Sequence, residues 1–260
     1  IAFAAGDIRE SLRETGHKVA DAKGSVRIVF EISAAGMGPQ AFRIRREGSR
    51  IIRVVGGDSL GAMYGGLELA ETIRLGGGLG AVVDKARKPY IFRRGLKFNI
   101  PFDARGPSYD DTGTSAQKNI PVMWEFAFWR QFLDTMARNR YNVLTLWTTH
   151  PYPGLVKLDK YPGVNYDDVC VLRKDVDPKS DRHWAKRSVD VFDPANVKVV
   201  RKIALADKIA FWTRVFNHAE ARGIEIHIFH WNIYTFGAGG KHGIDDQPDN
   251  PKTIAYMRYC

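Results

Sequence analysis

The stretch FHWNIYTFG, Phe229 to Gly237, places a histidine, a tryptophan, an asparagine and a tyrosine directly behind the apolar run IEIHI. A buried strand ordinarily ends in turn formers, whereas this one ends in groups that can stack on a ligand and hydrogen-bond it. Two other short apolar runs end in the same manner. RGLKFNIP leads into Asn99, Asp103 and Arg105, and VLTLW leads through Trp147 to His150. Aromatic faces cover the apolar faces of sugar rings, while Asn, His, Arg and Asp bind hydroxyls. Asn99, Asp103, Arg105, Trp147, His150, His230, Asn232 and Tyr234 are therefore candidate contacts to a carbohydrate. Each also has a structural reading. Trp147 and Trp231 suit core packing, the histidines can satisfy backbone groups, and Asp103 with Arg105 can form a solvated ion pair in a loop rich in Gly, Pro, Asp and Ser. Neighbours on a strand alternate in direction, so His230 and Asn232 share a face and Trp231 points the other way.

Other chemistries find less support. His227 and His230 stand three apart, on opposite sides of an extended strand, and cannot readily share an ion. Motifs of the types HExxH, GxSxG and CxxC are absent, and nothing marks a Ser-His-Asp triad. Two cysteines, Cys170 and Cys260, are too few for a disulfide framework or a metal cluster, so neither cofactor nor metal is expected. Hydrolysis of a glycosidic bond needs two flanking carboxyl groups. Asp103, Asp245 and Asp246 are available, but the last two read as solvated loop residues, and no convincing pair emerges.

These groups need elements to hold them. DIRESLRE reads as a short helix, and SVRIVFEIS alternates Val26, Ile28, Phe30 and Ile32 inward as a half-buried strand. AFRIRRE and RIIRVVG flank the turn Glu47-Gly48-Ser49 as a hairpin. Asp58 or Ser59 caps a helix with Leu60, Met63, Tyr64 and Leu67 at helical spacing, stopped by Gly76-Gly77-Gly78. The sum predicts a small α+β domain of antiparallel strands with helices on one face, over residues 1–88, and KARKPY reads as the linker that follows it.

Over residues 89–260, RGLKFNIP, VLTLW and IEIHIF read as strands separated by helices. The first helix has a face of Trp129, Phe132, Leu133, Met136 and Ala137; the second carries Ile209, Trp212, Phe216 and Ala219, with Gly223 as its cap. VKVVRKI is ambiguous between strand and helix, and NPKTIAYMRYC resembles the start of a further helix. Alternating strands and helices imply a parallel sheet with helical crossovers. No Gly-rich phosphate loop follows any strand, which favours the first part of a (β/α)8 TIM barrel, truncated after its third strand, over a doubly wound sheet. In such barrels the site lies at the carboxyl ends of the strands, where the candidate residues fall.

Composition narrows the partners. With 260 residues, 44% hydrophobic and 26% charged, the chain has the makings of one large or two smaller globular domains. No apolar run approaches the ~20 residues of a membrane span. The net charge of +10 is spread among acids, as in RKDVDPKSDRHWAKR, which reads as a solvated loop rather than a nucleic-acid surface. A basic protein would suit an acidic ligand such as a uronic-acid sugar. The amino terminus lacks the features of a secretory signal, as a processed protein also would, and secreted or periplasmic placement is the expectation.

One family pattern gathers these elements. EGSRIIRVVGGDSLGAMYGGLELAETIR resembles the end of the small amino-terminal domain of α-glucuronidases and family 20 β-N-acetylhexosaminidases, where a strand, a Gly-Ala-x-Tyr-Gly turn into a helix and then a barrel follow in order. RRGLKFNIP looks like the first barrel strand of that group and NRYNVLTLW like the second. The resemblance implies a glycoside hydrolase, with Arg94 at the position of an arginine that binds sugar hydroxyls. WTTHPY stands where a hexosaminidase carries an acidic pair, which argues against N-acetylhexosamine substrates. The catalytic acid of the group follows the fourth barrel strand, placing it beyond Cys260, so the chain is expected to hold one wall of a cleft and to be inactive alone. The alternative is a carbohydrate-binding protein that keeps the architecture without catalysis.

Overall fold

The structure, a computed structural model, describes residues 1–20, 24–106, 114–148, 150–173, 190–230, 235 and 238–260. Its contacts divide the chain into two compact units, residues 1–94 with 138–140, and residues 95–137 with 141–260.

In the first unit, helix α1 (Ala2–Glu14) precedes strands β1 (Arg27–Ile32), β2 (Phe42–Glu47) and β3 (Ile51–Gly56), helix α2 (Ser59–Gly76) and strand β4 (Lys85–Arg87). The hairpin forms as its turn requires, with Gly48 at φ +60° and β2 antiparallel to β3 from Phe42↔Gly56 to Glu47↔Ile51. The sheet order is β1-β3-β2-β4, and β1 pairs with β3 in parallel. The sheet is therefore mixed rather than antiparallel throughout, because β3 inserts between two strands that follow one another in sequence. Edge position explains two further departures. Ile32, expected to point inward, ends edge strand β1 and is 53% exposed. The KAR of the expected linker forms β4 at the opposite edge, where a short, charged strand suits a sheet margin.

Asp58 caps α2 by accepting from Gly61 N at 2.6 Å, and Gly77 closes it in the left-handed conformation. A Cβ on Gly65 would come within 2.7 Å of Val54 Cγ1, and one on Gly66 within 2.7 Å of the Phe30 ring. The glycines of GAMYGG thus let the helix lie against sheet and α1, over a core of Ile8, Ile44, Val54, Leu67 and Ile73.

In the second unit, β5 (Gly95–Asn99), β6 (Val143–Trp147) and β9 (Glu225–Phe229) form a parallel sheet in that order. The chain between them holds α3 (Thr114–Asn119), α4 (Phe126–Arg138), α5 (Tyr152–Leu155), β7 (Val169–Leu172), β8 (Val197–Arg201) and α6 (Leu205–Glu220), and α7 (Pro251–Tyr259) follows. VKVVRKI is strand, in antiparallel pairing with β7, so its β-branched alternation decides. The connection read as one long loop contains this β7–β8 pair and α5. Asn250 caps α7 by accepting from Lys252 N at 2.9 Å, and Pro251 occupies its first turn.

The two faces of the parallel sheet differ. Phe98 packs on Phe128, Trp129 and Phe132 of α4, and Leu144 and Leu146 are buried on the same side. Trp129 meets Trp212 of α6 at 5.2 Å, and Trp212 meets Phe102 at 4.8 Å, so the helix layer closes over an aromatic core. The other face carries Lys97, Asn99, Thr145, Trp147, Glu225, His227 and Phe229, among which Phe229 is half exposed. Among the described residues no helix is long and apolar enough to cross a membrane.

Candidate functional site

Because β5, β6 and β9 are parallel, the segments after Asn99, Trp147 and Phe229 leave the sheet at one edge. The segment after β5 folds back on an ion pair. Asp103 is almost fully buried. Its Oδ1 accepts from Arg105 N at 2.9 Å and Nε at 2.8 Å, and its Oδ2 accepts from Arg105 Nη2 at 2.9 Å and Cys170 N at 2.8 Å. Arg105 also donates to the carbonyls of Asp167 and Asp168 and lies 4.2 Å from the centre of the Tyr166 ring. The pair is therefore buried rather than solvated, and it ties the loop to β7. Burial lowers the Arg105 guanidinium, but Asp103 more than offsets this and holds it above its ordinary value. Burial and the Asp103 carboxylate push the Cys170 thiol up.

Lys208 completes this cluster. It is fully buried on the α6 face shared with Trp212, donates to Tyr166 O at 3.1 Å, and lies 4.7 Å from the Tyr166 ring. Desolvation lowers its ammonium to about 8, partly opposed by Asp103. With Asp103, Tyr166 and His150 it lines a small cavity of about 10 Å³, room for roughly one water.

Nearer the ends of β6 and β9, two histidines each meet a tyrosine. His150 is fully buried, with Nε2 2.8 Å from Tyr256 Oη of α7. His230 is half-buried, with Nε2 2.5 Å from Tyr152 Oη. The rings interlock, Tyr152 standing edge-on to His150 at 5.4 Å and to His230 at 5.1 Å. Burial, reinforced by the charge of His230, lowers His150 to about 3, so its imidazole is neutral at physiological pH. Burial also raises the phenols of Tyr152 and Tyr256. The Nδ1 atoms of His150 and His230 are buried without a hydrogen-bond partner among the described residues. Such an atom costs about 1–3 kcal/mol while it lacks a partner.

The remaining expected residues separate. Trp147 is buried on the uncovered sheet face, stacked on Phe229 at 6.1 Å with Lys97 4.7 Å from its ring, and Asn99 pairs with it in register. Arg94 lies in the first unit, where it bonds Gln40 Oε1 and Arg140 O and sits over the Tyr64 ring. Asn232 and Tyr234, like Trp231, fall outside the described residues. Asp246 accepts from Thr235 N at 2.7 Å and Asp245 from Gln247 N at 3.0 Å, so both organise the loop before α7. No group of three or more His, Cys, Asp or Glu among the described residues is placed to hold a metal.

Tyr152, Tyr166, Lys208 and Tyr256 were not among the candidates. Lys208 carried a legible signal, a lysine four residues before Trp212 on the buried helix face. Tyr256 carried none, since nothing local links it to His150 across 106 positions.

No known sequence family matches the chain, and no curated protein matches it by sequence. Its fold is similar to that of glycoside hydrolases. A GH138 enzyme targeting pectin rhamnogalacturonan II superposes with a TM-score of 0.69 and 23% identity, over 99% of this chain and 27% of that one. A mutant Streptomyces plicatus β-hexosaminidase in complex with GlcNAc gives 0.53 and 12%, over 98% and 48%. The β-N-acetylhexosaminidase of Bacteroides fragilis gives 0.51 and 11%, over 98% and 47%. The chain thus spans about a quarter of the first of these proteins and about half of the other two, and what it shares with all three is a glycoside hydrolase fold.

Proposed function

We propose that this chain is the amino-terminal part of a glycoside hydrolase acting on a polysaccharide or oligosaccharide that contains uronic acids. Its first unit is an accessory domain, and its second is the opening portion of a (β/α)8 barrel. The observation that carries this reading is the convergence of the His150–Tyr256 and Tyr152–His230 pairs, each with an orphan imidazole nitrogen, at the carboxyl edge of a parallel sheet whose other face is uncovered. In a barrel that face is the interior. His230, Tyr152, Asn99 and the Trp147–Phe229 stack line the sugar path, while Asp103, Arg105 and His150 hold the loops beneath it. Asp103 spends both oxygens on four protein donors, which argues against it as one of the carboxyl pair that hydrolysis needs, and on this proposal that pair belongs to barrel strands outside residues 1–260. A substrate too large to enter cells would place the whole enzyme outside the cytoplasm.

The test is to measure release of reducing sugar from acidic plant polysaccharides by the 260-residue chain and by a protein extended through the remaining barrel. Turnover by the extended protein alone, reduced about 10- to 100-fold in kcat/KM by His230→Ala as expected for an unpaired polar contact, supports the reading. Turnover by the 260-residue chain would refute the placement of the carboxylates. Binding without turnover by the extended protein would establish instead a carbohydrate-binding protein of the same architecture.

A further inference from the structure

Tyr90, Ile91 and Phe92, near the end of the first unit, are 99%, 59% and 53% exposed. Among the described residues they are the only three consecutive large apolar side chains left in water. Apolar residues exposed singly, such as Leu75 and Val83 of the same unit, are ordinary, whereas a contiguous apolar patch marks an interaction surface. The backbone beneath this patch is fixed. Arg94 Nη1 donates to the carbonyls of Ile91 and Phe92, while its Nη2 donates to Gln40 Oε1 at 2.9 Å and its Nε to Arg140 O at 2.8 Å. Gln40 donates from Nε2 to Phe92 O, and from its backbone to Asp58, the cap of α2. The arginine that the family resemblance sets against sugar hydroxyls thus holds a bend in the chain.

Charge around the bend has one sign. Every ionisable group from Lys85 to Arg94 other than the Tyr90 phenol is a cation. Lys85 is answered by Glu68 at 2.6 Å, and Arg87 has the same carboxylate within electrostatic reach. Asp84, just before the segment, accepts from Arg46 N at 2.7 Å. Arg87, Lys88 and Arg93 are exposed on either side of the apolar trio.

We infer that residues 87–93 form an interfacial anchor that docks this protein on an anionic lipid surface. Such a surface carries negative headgroups over an apolar layer, and this loop answers both. The cations meet the headgroups, the Tyr90 ring sits at their level, and Ile91 and Phe92 enter the acyl boundary, which takes no spanning helix. A sugar chain fits the loop less well. It stacks on rings that share a face, and Ile91, in the middle of the trio, has no ring to offer.

The test is sedimentation with vesicles of mixed phosphatidylglycerol and phosphatidylcholine and with vesicles of phosphatidylcholine alone. It is made on the 260-residue chain and on the protein extended through the remaining barrel. Both proteins should pellet with the anionic vesicles, not with the neutral ones, and less in added salt. Tyr90→Ser, Ile91→Ser and Phe92→Ser together should weaken binding about tenfold or more, and Lys88→Glu alone about tenfold. Leu75→Ser with Val83→Ser should bind as the parent does. Failure of the parent to pellet with anionic vesicles, or equal losses in the Leu75 and Val83 variant, would overturn the anchor. Binding by the 260-residue chain but not by the extended protein would mean that other parts of the protein cover the patch, and would overturn it too. So would a triple variant that keeps its affinity for vesicles and loses affinity for soluble polygalacturonate, since the loop would then be a sugar platform.

Discussion

Asp103→Leu tests whether the loop after β5 depends on a buried charge pair. The substitution leaves Arg105, whose side chain is 14% exposed, without its carboxylate, and leaves Cys170 N without its acceptor on Asp103. Removing one partner of a buried pair costs about 3–5 kcal/mol. Arg105 keeps the carbonyls of Asp167 and Asp168, which places the cost toward the lower end. For a domain of this size 1 kcal/mol shifts the midpoint by about 2–4 °C, so a loss of ~3 kcal/mol lowers Tm by about 6–12 °C. All six tryptophans lie in the second unit, so intrinsic tryptophan fluorescence follows its unfolding alone. Arg105→Met removes the guanidinium instead, and the double substitution removes both charges at once. Coupling between the two sites should reach about 2 kcal/mol, with the double variant more stable than Asp103→Leu alone. Additive effects, with coupling below about 0.5 kcal/mol, would mean that the pair behaves as an exposed one, and the reasoning would fail.

Lys208 should give the unit an unusual alkaline dependence. Its folded value is about 8 against an ordinary 10.5, so between those pH values the unfolded chain holds more protons and stability rises with pH. The rise is roughly 3 kcal/mol over the whole window, about 2 kcal/mol of it between pH 8 and 10, and should vanish in Lys208→Met, as denaturant titrations at those two pH values can check. His150, lowered to about 3, should show no imidazole titration by NMR between pH 5 and 8, while stability falls as pH drops below its unfolded value near 6.5. In the first unit, Gly66→Ala pushes a methyl into Phe30 and Ala4 and should cost about 1–3 kcal/mol, whereas Gly6→Ala meets nothing within 4 Å and should stabilise α1 by about 0.5–1 kcal/mol. Hydrogen exchange of α1 and α2 amides separates the two.

Local physics was legible in the sequence. Helical spacing located α2, α4 and α6, Asp58 or Ser59 and the run Gly76-Gly77-Gly78 marked the ends of α2, which the structure fixes at Asp58 and Gly77, and EGS marked the β2–β3 turn, because each signal lies within a few residues of its effect. The convergence of three strand ends was legible too, since parallel order follows from alternating strands and helices. Pairings across long separations were not. Nothing local announces that β3 parts β1 from β2, that Asp103 bonds Cys170 N 67 residues away, or that His150 faces Tyr256. The same aspartate and arginine that read as a solvated pair in a polar loop are buried because β7, a strand with no clear sequence signal, closes over them. Residue types and their order along each strand are properties of the sequence; which groups lose water, and so which charges must be answered, is decided only when distant segments pack.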